Sequence, residues 1–99
     1  MSNVPAQALS LMNGAFVLQQ ARRWAERTLA NPSLDTAVKR IQSLYQTAYA
    51  RPPAAVEEKD AVEFLQAQAR RYRCAPDDPR VWTDLCHVLI NVKEFIFVR

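Results

Sequence analysis

Hydrophobic residues recur at intervals of three and four along most of this chain, which is the spacing of one face of an α-helix. The pattern is clearest in four stretches, where charged and amide side chains occupy the remaining positions. In the third stretch, acidic residues near the start and arginines near the end also complement the helix dipole. The sequence therefore predicts four principal helices, over residues 15–30, 34–50, 55–73 and 79–92.

Helix-breaking and capping residues separate these stretches. Asn31-Pro32-Ser33 is expected to end the first helix and to cap the second. Arg51-Pro52-Pro53 is expected to end the second helix, because proline lacks a backbone N–H and disfavours helical geometry in the residue before it. Asp78-Pro79 is typical of an N-cap followed by the first residue of a helix.

The two ends of the chain extend this pattern. Val4–Met12 is short and apolar, which predicts a short leading helix, and Asn13 is expected to cap the helix that follows it. Phe95–Val98 is a run of four apolar residues, expected to form either a final helical turn or a short extended tail. Because helical patterning starts so close to Met1 and the chain stops on an apolar run, we expect a fragment of a longer protein.

Short linkers between the predicted helices favour antiparallel neighbours packed around one core. The 99 residues are the length of one domain, and 49% of them are hydrophobic. The one glycine, Gly14, argues against hairpin-rich all-β folds and against glycine-rich phosphate loops. The expected fold class is therefore all-α: a compact bundle of four main helices plus a short N-terminal helix, forming a single domain over residues 1–99.

The charge of the chain changes this picture little. The formal net charge is +3, and the basic residues are spread along the sequence, so nucleic acid is an unlikely partner. Arg70-Arg71-Tyr72-Arg73 could contact phosphates, but cations are also the usual residues at a helix C-terminus. No apolar run approaches the ~20 residues that span a bilayer, and the N-terminus lacks the charged and apolar regions of a signal peptide.

Cysteine and histidine are the scarce reactive residues. Cys86 and His87 are adjacent, and Cys74 lies twelve positions before Cys86, so the Cys-x-x-Cys-His pattern of a c-type haem site is absent. A zinc site would require four ligands, and a Cys–His dyad would require side chains that face each other, which adjacent helical positions do not. We expect no catalytic residue, no metal and no cofactor here, with Cys86 in the core and His87 as a surface or interhelical hydrogen-bonding residue.

The last predicted helix carries the candidate structural or contact residues. Trp82 shares a face with Leu85 and Leu89, so it is expected in the core. Asp84 and Asn91 are seven residues apart and share another face. Two interpretations stay open for this polar set: a buried polar network or docking surface, or a solvated face with capping roles. The complete set is Trp82, Asp84, His87, Asn91, Glu94 and Phe95.

Three ordered blocks of sequence resemble a known family. Ala8-Leu9-Ser10-Leu11-Met12-Asn13-Gly14-Ala15-Phe16-Val17, followed by Gln20-Ala21, resembles the "A-L-x-L-L-N-x-P-F-V … Q-A" line of the DUF1553 family. Arg40-Ile41, Leu44-Tyr45 and Arg51-Pro52-Pro53 with the acidic residues after them resemble its "R-I-x-x-L-Y-x-x-x-x-G-R-P-P-T-P-E-E". The segment from Trp82 to Phe95 resembles its closing "W-x-D-L-C-H-A-L-x-N-x-N-E-F-x-Y".

The chain departs from the family pattern at a few positions. Ala50 stands where the family usually has glycine, one more residue separates Pro53 from Glu57, and Lys93 replaces the usual asparagine. These departures weaken the idea of a fixed polar site on the last helix. The resemblance implies the C-terminal part of a large, exported, mostly planctomycete multidomain protein, often with cytochrome-c-like and DUF1549 regions upstream. It implies an extracytoplasmic location and transfers no catalytic residue.

Three functions follow as hypotheses. The first is a non-catalytic helical module that packs against other domains of its parent chain or against a protein partner, with weak self-association through its apolar C-terminal run. The second is part of an enzyme or redox assembly, with Asp84, His87 or Glu94 contributing to a site completed elsewhere. The third is a basic helical nucleic-acid binder, whose affinity would fall steeply with salt.

Overall fold

The four helices form an up-down-up-down bundle in the computed structural model, which describes residues 14–97 and the side chains of residues 14–92. No strand occurs within this range. The helices are α1 (Ala15–Ala30), α2 (Ala37–Tyr49), α3 (Ala55–Tyr72) and α4 (Pro79–Phe97). The predicted all-α bundle of four main helices is confirmed, whereas the predicted leading helix Val4–Met12 and the Asn13 cap lie outside the described residues.

The start of α2 was predicted three residues too early. Asn31 accepts a hydrogen bond from the backbone N–H of Ser33 at 2.9 Å, a local turn that keeps the linker out of helical geometry. The cap of α2 is Thr36 instead, whose hydroxyl oxygen accepts from the N–H of Lys39 at 3.1 Å. The predicted capping role of Asn31-Pro32-Ser33 is therefore wrong, although the segment does end α1.

The ends of the other helices depart less from the prediction. The predicted N-cap Asp78 is confirmed, because its carboxylate accepts from the N–H of Arg80 at 2.9 Å. Helix α4 continues to Phe97 rather than ending at residue 92, since no proline or glycine interrupts it there. Ala50 and Arg73, each predicted as the last residue of a helix, instead adopt left-handed geometry with φ of 57° directly after α2 and α3.

Contacts between helices fix their directions. Tyr49, at the end of α2, bonds to Leu89, whereas Arg40 near its start lies over Trp82, so α2 runs parallel to α4. Helix α3 runs the opposite way, because Tyr72 near its end bonds to Asp84. Helix α1 is also antiparallel to α4: Gln20 and Trp24 lie beside Ile90, and Arg27 is close enough to Cys86 to influence its thiol.

The core is formed by the faces that all four helices turn inward. Trp82 is 1% exposed, and the predicted core position of Cys86 is confirmed. Helix α4 touches each of the other three helices and contributes Trp82, the largest fully buried side chain, to the core. The buried hydrophobic cluster consists of Ala21, Ala25, Ile41, Leu44, Tyr45, Ala61, Leu65, Ala69, Val81, Trp82, Leu85, Cys86 and Leu89.

Candidate interaction surface

One end of the bundle brings together the start of α1, the end of α2, the start of α3 and the distal half of α4. This arrangement follows from the helix directions given above. The α2–α3 linker at this end contains Arg51-Pro52-Pro53, and the prolines there exclude a continuous helix.

An ion pair fixes this linker. Two nitrogens of the Arg51 guanidinium donate to the two carboxylate oxygens of Glu57, at 2.8 and 3.0 Å, in the bidentate geometry that arginine favours. Glu57 also accepts from the backbone N–H of Ala54 at 2.8 Å, which satisfies a donor at the start of α3. The arginine bond first, and the backbone bond second, lower the pKa of Glu57 to about 2. The ion pair thus joins the linker to the first turn of α3.

Two tyrosines of α2 support the same arginine. The rings of Tyr45 and Tyr49 meet edge-to-face with centroids 5.2 Å apart, and the Arg51 guanidinium lies 5.7 and 5.6 Å from their centres. The Tyr49 hydroxyl donates to the backbone carbonyl of Leu89 at 2.9 Å. Burial is the main cause that raises the pKa of both tyrosines. The end of α2 is therefore bonded to both the linker and α4.

These residues frame a cleft of about 670 Å³ between α2, α3 and α4. Ala48 and Tyr49 form one wall, Val88 and Val92 form another, and the Arg51 ion pair lies at the rim. Val88 and Val92 keep 42% and 46% of their surface exposed. Because the lining is mostly apolar and the rim charges already pair with each other, the cleft suits an apolar side chain better than a charged ligand. We call it the Tyr49 cleft.

Exposed apolar side chains gather at this end of the bundle. Six large hydrophobic residues are exposed among those the structure describes, and five lie here: Phe16, Leu18, Val56, Val88 and Val92. We call these five residues the apolar end. The sixth, Val38, lies in the first turn of α2, at the opposite end. Scattered single apolar residues need no explanation, but a concentration of them at one end is typical of a contact surface.

The sequence-predicted candidates are distributed along α4, and Asp84 lies near its start, away from the apolar end. Asp84 is half-buried, and its carboxylate accepts from the Gln68 amide at 2.6 Å and from the Tyr72 hydroxyl at 2.5 Å. The interpretation of a solvated face is therefore wrong for Asp84, which belongs to a polar network between α3 and α4. The bond to Asp84 is the main cause that raises the pKa of Tyr72.

The other candidates do not converge on Asp84. Trp82 and His87 each bury a ring nitrogen that has no hydrogen-bond partner among the residues the structure describes. The Arg40 guanidinium lies 5.8 Å from the centre of the Trp82 ring. Asn91 is half-buried, whereas Glu94 and Phe95 lie in the helical backbone of α4 with side chains outside the described range. Of the predicted set, Trp82 is thus a core residue, and Asp84 joins α4 to α3 through hydrogen bonds.

The two cysteines and the arginines at the end of α3 lie where packing and the helix dipole explain them. Both thiols are free, and burial raises the pKa of Cys86 to about 12, which makes this thiol a poor nucleophile. Arg70 and Arg71 occupy the last turn of α3, where the helix dipole favours cations. No group of His, Cys, Asp and Glu that could hold a metal ion occurs within the described part of the chain.

Sequence reasoning missed the contacts around the Tyr49 cleft. The sequence does carry a signal for the bond between Glu57 and the Ala54 N–H, since a glutamate at the third position of a helix often accepts from the N–H at the helix start. No comparable signal marks the Tyr49–Leu89 bond, which joins residues forty positions apart. Over residues 14–97, none of the helices is both long and apolar enough to cross a bilayer.

Comparison with known proteins identifies a family. Neither the curated proteins nor the solved structures contain a significant match to this chain. A family model described as "PSD1: Protein of unknown function (DUF1553)" matches residues 1–65. The match includes α1, α2, the linker with Arg51 and the first part of α3. It covers the first two of the three blocks that resemble the family, whereas the third block, from Trp82 to Phe95, lies outside it. The chain belongs to the DUF1553 family.

Proposed function

We propose that this chain is a non-catalytic helical module of a larger exported protein, and that its apolar end packs against other domains of its parent chain or against a protein partner. The observation that carries this proposal is the concentration of exposed apolar residues at that end. Burying such a surface releases roughly 25 cal/mol for each Å² of apolar area, which is the main driving force for association.

The hydrogen bonding of the carboxylates supports a structural role. Asp84 accepts from two side chains of α3, and Glu57 accepts from Arg51 and from the helix start. A carboxylate in a catalytic role needs access to a proton or a reacting atom. These two groups instead hold neighbouring helices and a linker together, which is what a packing module requires.

The sequence carries a further apolar run after Glu94. The backbone of α4 remains helical through Phe97, and residues 95–98 are Phe, Ile, Phe and Val. As a sequence pattern, four consecutive apolar residues exceed what one face of an amphipathic helix accommodates. We therefore expect weak self-association of the isolated chain.

Sedimentation velocity of the full chain and of a variant truncated after Glu94 tests this proposal. We expect the full chain to sediment faster as its concentration rises and the truncated chain to remain monomeric, with unchanged helical circular dichroism per residue. A full chain that stays monomeric at high concentration would contradict the contact surface. Equal association of both chains would show that the C-terminal run takes no part in it.

A further inference from the structure

A small cavity lies towards the end of the bundle opposite the apolar end, between α2, α3 and the start of α4. Its volume is about 140 Å³. Cavities of roughly 150 Å³ accommodate a group the size of benzene. The apolar lining includes Val62, Leu65 and Trp82, and the polar lining includes Arg40 and Gln66. The cavity therefore has room for one side chain of a partner.

Two hydrogen-bond donors belong to residues that line this cavity. The Nε of Arg40 donates to the backbone carbonyl of Leu34 at 3.0 Å, and the guanidinium lies 5.8 Å from the centre of the Trp82 ring. Trp82 is 1% exposed, and its Nε1–H has no hydrogen-bond partner among the described residues. Hydrogen bonds with a charged partner are stronger than those between neutral groups. Arg40 and Trp82 therefore favour a carboxylate as the group that enters the cavity.

The cavity adjoins a larger groove beside α3. A second cavity of about 610 Å³ shares Gln66 and Pro76 with the first and is also lined by Arg70 and Arg73. We call the two cavities together the Trp82 groove. Its lining residues on α3 and the C-cap extend from Val62 to Arg73, which is about 16 Å of helix. An extended peptide of about five residues covers this length.

Positive charge dominates the groove. Arg70 and Arg73 are exposed, and neither forms an ion pair within the part of the chain that the structure describes. With Arg40, they outnumber Asp77, the exposed acidic residue of the lining. The dipole of α3 favours cations at this position but leaves their guanidinium groups available to a partner. The charge of the groove therefore complements an acidic segment.

We propose that the Trp82 groove binds an extended acidic peptide segment of a partner protein. One carboxylate side chain enters the cavity at Arg40 and Trp82, and further carboxylates bind Arg70 and Arg73. The buried Trp82 ring presents no exposed face on which a nucleic-acid base could stack. This site goes beyond the proposed function, because it lies at the opposite end of the bundle from the apolar end.

Nuclear magnetic resonance titration of the ¹⁵N-labelled full chain with a blocked peptide of five glutamates tests this proposal. At an ionic strength of about 0.15 M, attraction between exposed charges more than about 8 Å apart is largely screened. The two tryptophans, Trp24 and Trp82, give two indole N–H signals. We expect the Trp82 signal to shift in a saturable way and the Trp24 signal to stay. A peptide of five glutamines should bind at least about tenfold more weakly, since one hydrogen bond to a charged group contributes about that factor.

Two matched double variants separate the groove from the net charge. Arg70→Gln combined with Arg73→Gln removes the basic residues of the groove. Arg22→Gln combined with Arg23→Gln removes the same charge from exposed positions on α1. All four side chains are exposed, so both variants should fold. We expect the first variant to bind the glutamate peptide at least about tenfold more weakly and the second to bind it as the unmodified chain does.

Three results would overturn the proposal. Equal loss of binding in the two variants would show that net charge, not the groove, attracts the peptide. A Trp82 signal that stays fixed while the peptide binds would show that no carboxylate enters the cavity. Duplex DNA that shifts this signal at a lower concentration than the peptide would identify nucleic acid as the ligand. None of these results bears on the effect of truncation after Glu94 on self-association, so failures of the two proposals are distinguishable.

Discussion

Replacing Ala50 by glycine should stabilise this protein, whereas most alanine-to-glycine changes in helical proteins destabilise them. Ala50 follows the last residue of α2 with φ of 57° and ψ of 32°, and its N–H bonds to the carbonyl of Gln46. Left-handed geometry costs a residue with a Cβ roughly 1–2 kcal/mol, and glycine avoids this cost. Glycine also loses about 0.5–1 kcal/mol more than alanine through the entropy of the unfolded chain.

The balance of these effects favours the variant by about 0.5–1 kcal/mol. In a domain of this size, 1 kcal/mol shifts the melting temperature by roughly 4–8 °C, so thermal unfolding followed by circular dichroism resolves the change.

A matched substitution measures what an alanine-to-glycine change costs at a position with right-handed helical geometry. Ala67 is exposed in the interior of α3 and has right-handed helical geometry, so Ala67→Gly should destabilise by about 1 kcal/mol. If Ala50→Gly lowers the melting temperature as Ala67→Gly does, the left-handed geometry at Ala50 carries no strain and the reasoning is refuted.

Three further substitutions test the bonds described above. Tyr49→Phe removes the donor to Leu89 and should cost about 0.5–1.5 kcal/mol in urea denaturation, whereas no change would show that the bond adds no stability. Asp84→Ala removes the acceptor whose hydrogen bond is the main cause that raises the pKa of Tyr72, and with it the charge, so that pKa should fall towards 10.0 in a spectrophotometric titration; an unchanged value would contradict the bond. Glu57 has its pKa lowered from 4.5 to about 2, so its stabilisation is complete above pH 4.5 and is lost as the pH falls towards 2. Glu57→Gln should therefore flatten the dependence of stability on pH in this window, and an unchanged dependence would exclude Glu57 as its source.

The helices could be predicted because their signals are local. Apolar periodicity places α1 to α4, and the Asp78-Pro79 pair locates the start of α4. The start of α2 could not be placed as well, because Asn31 and Thr36 are both good capping residues. Only the structure shows that Asn31 bonds within its own turn.

The Tyr49 cleft could not be predicted because it depends on contacts between distant residues. Tyr49 appears in the sequence as one more residue of the apolar face of α2, and its hydroxyl has no partner nearby in the chain. For Asp84, the sequence leaves a buried polar network and a solvated face both open, and only the contacts with Tyr72 and Gln68 of α3 decide between them. The sequence shows which residues share a helix face, but the partner of that face depends on how the helices pack.

A pair of matched variants tests most directly whether the apolar end is the contact surface. Val56 and Val38 are both the second residue of a helix, at opposite ends of the bundle, and are 64% and 39% exposed. Aspartate is tolerated at that position, so Val56→Asp and Val38→Asp should both fold. In sedimentation velocity at increasing concentration, we expect Val56→Asp to weaken self-association and Val38→Asp to leave it at the level of the unmodified chain. Loss of association in Val38→Asp alone, or equal loss in both variants, would contradict the account.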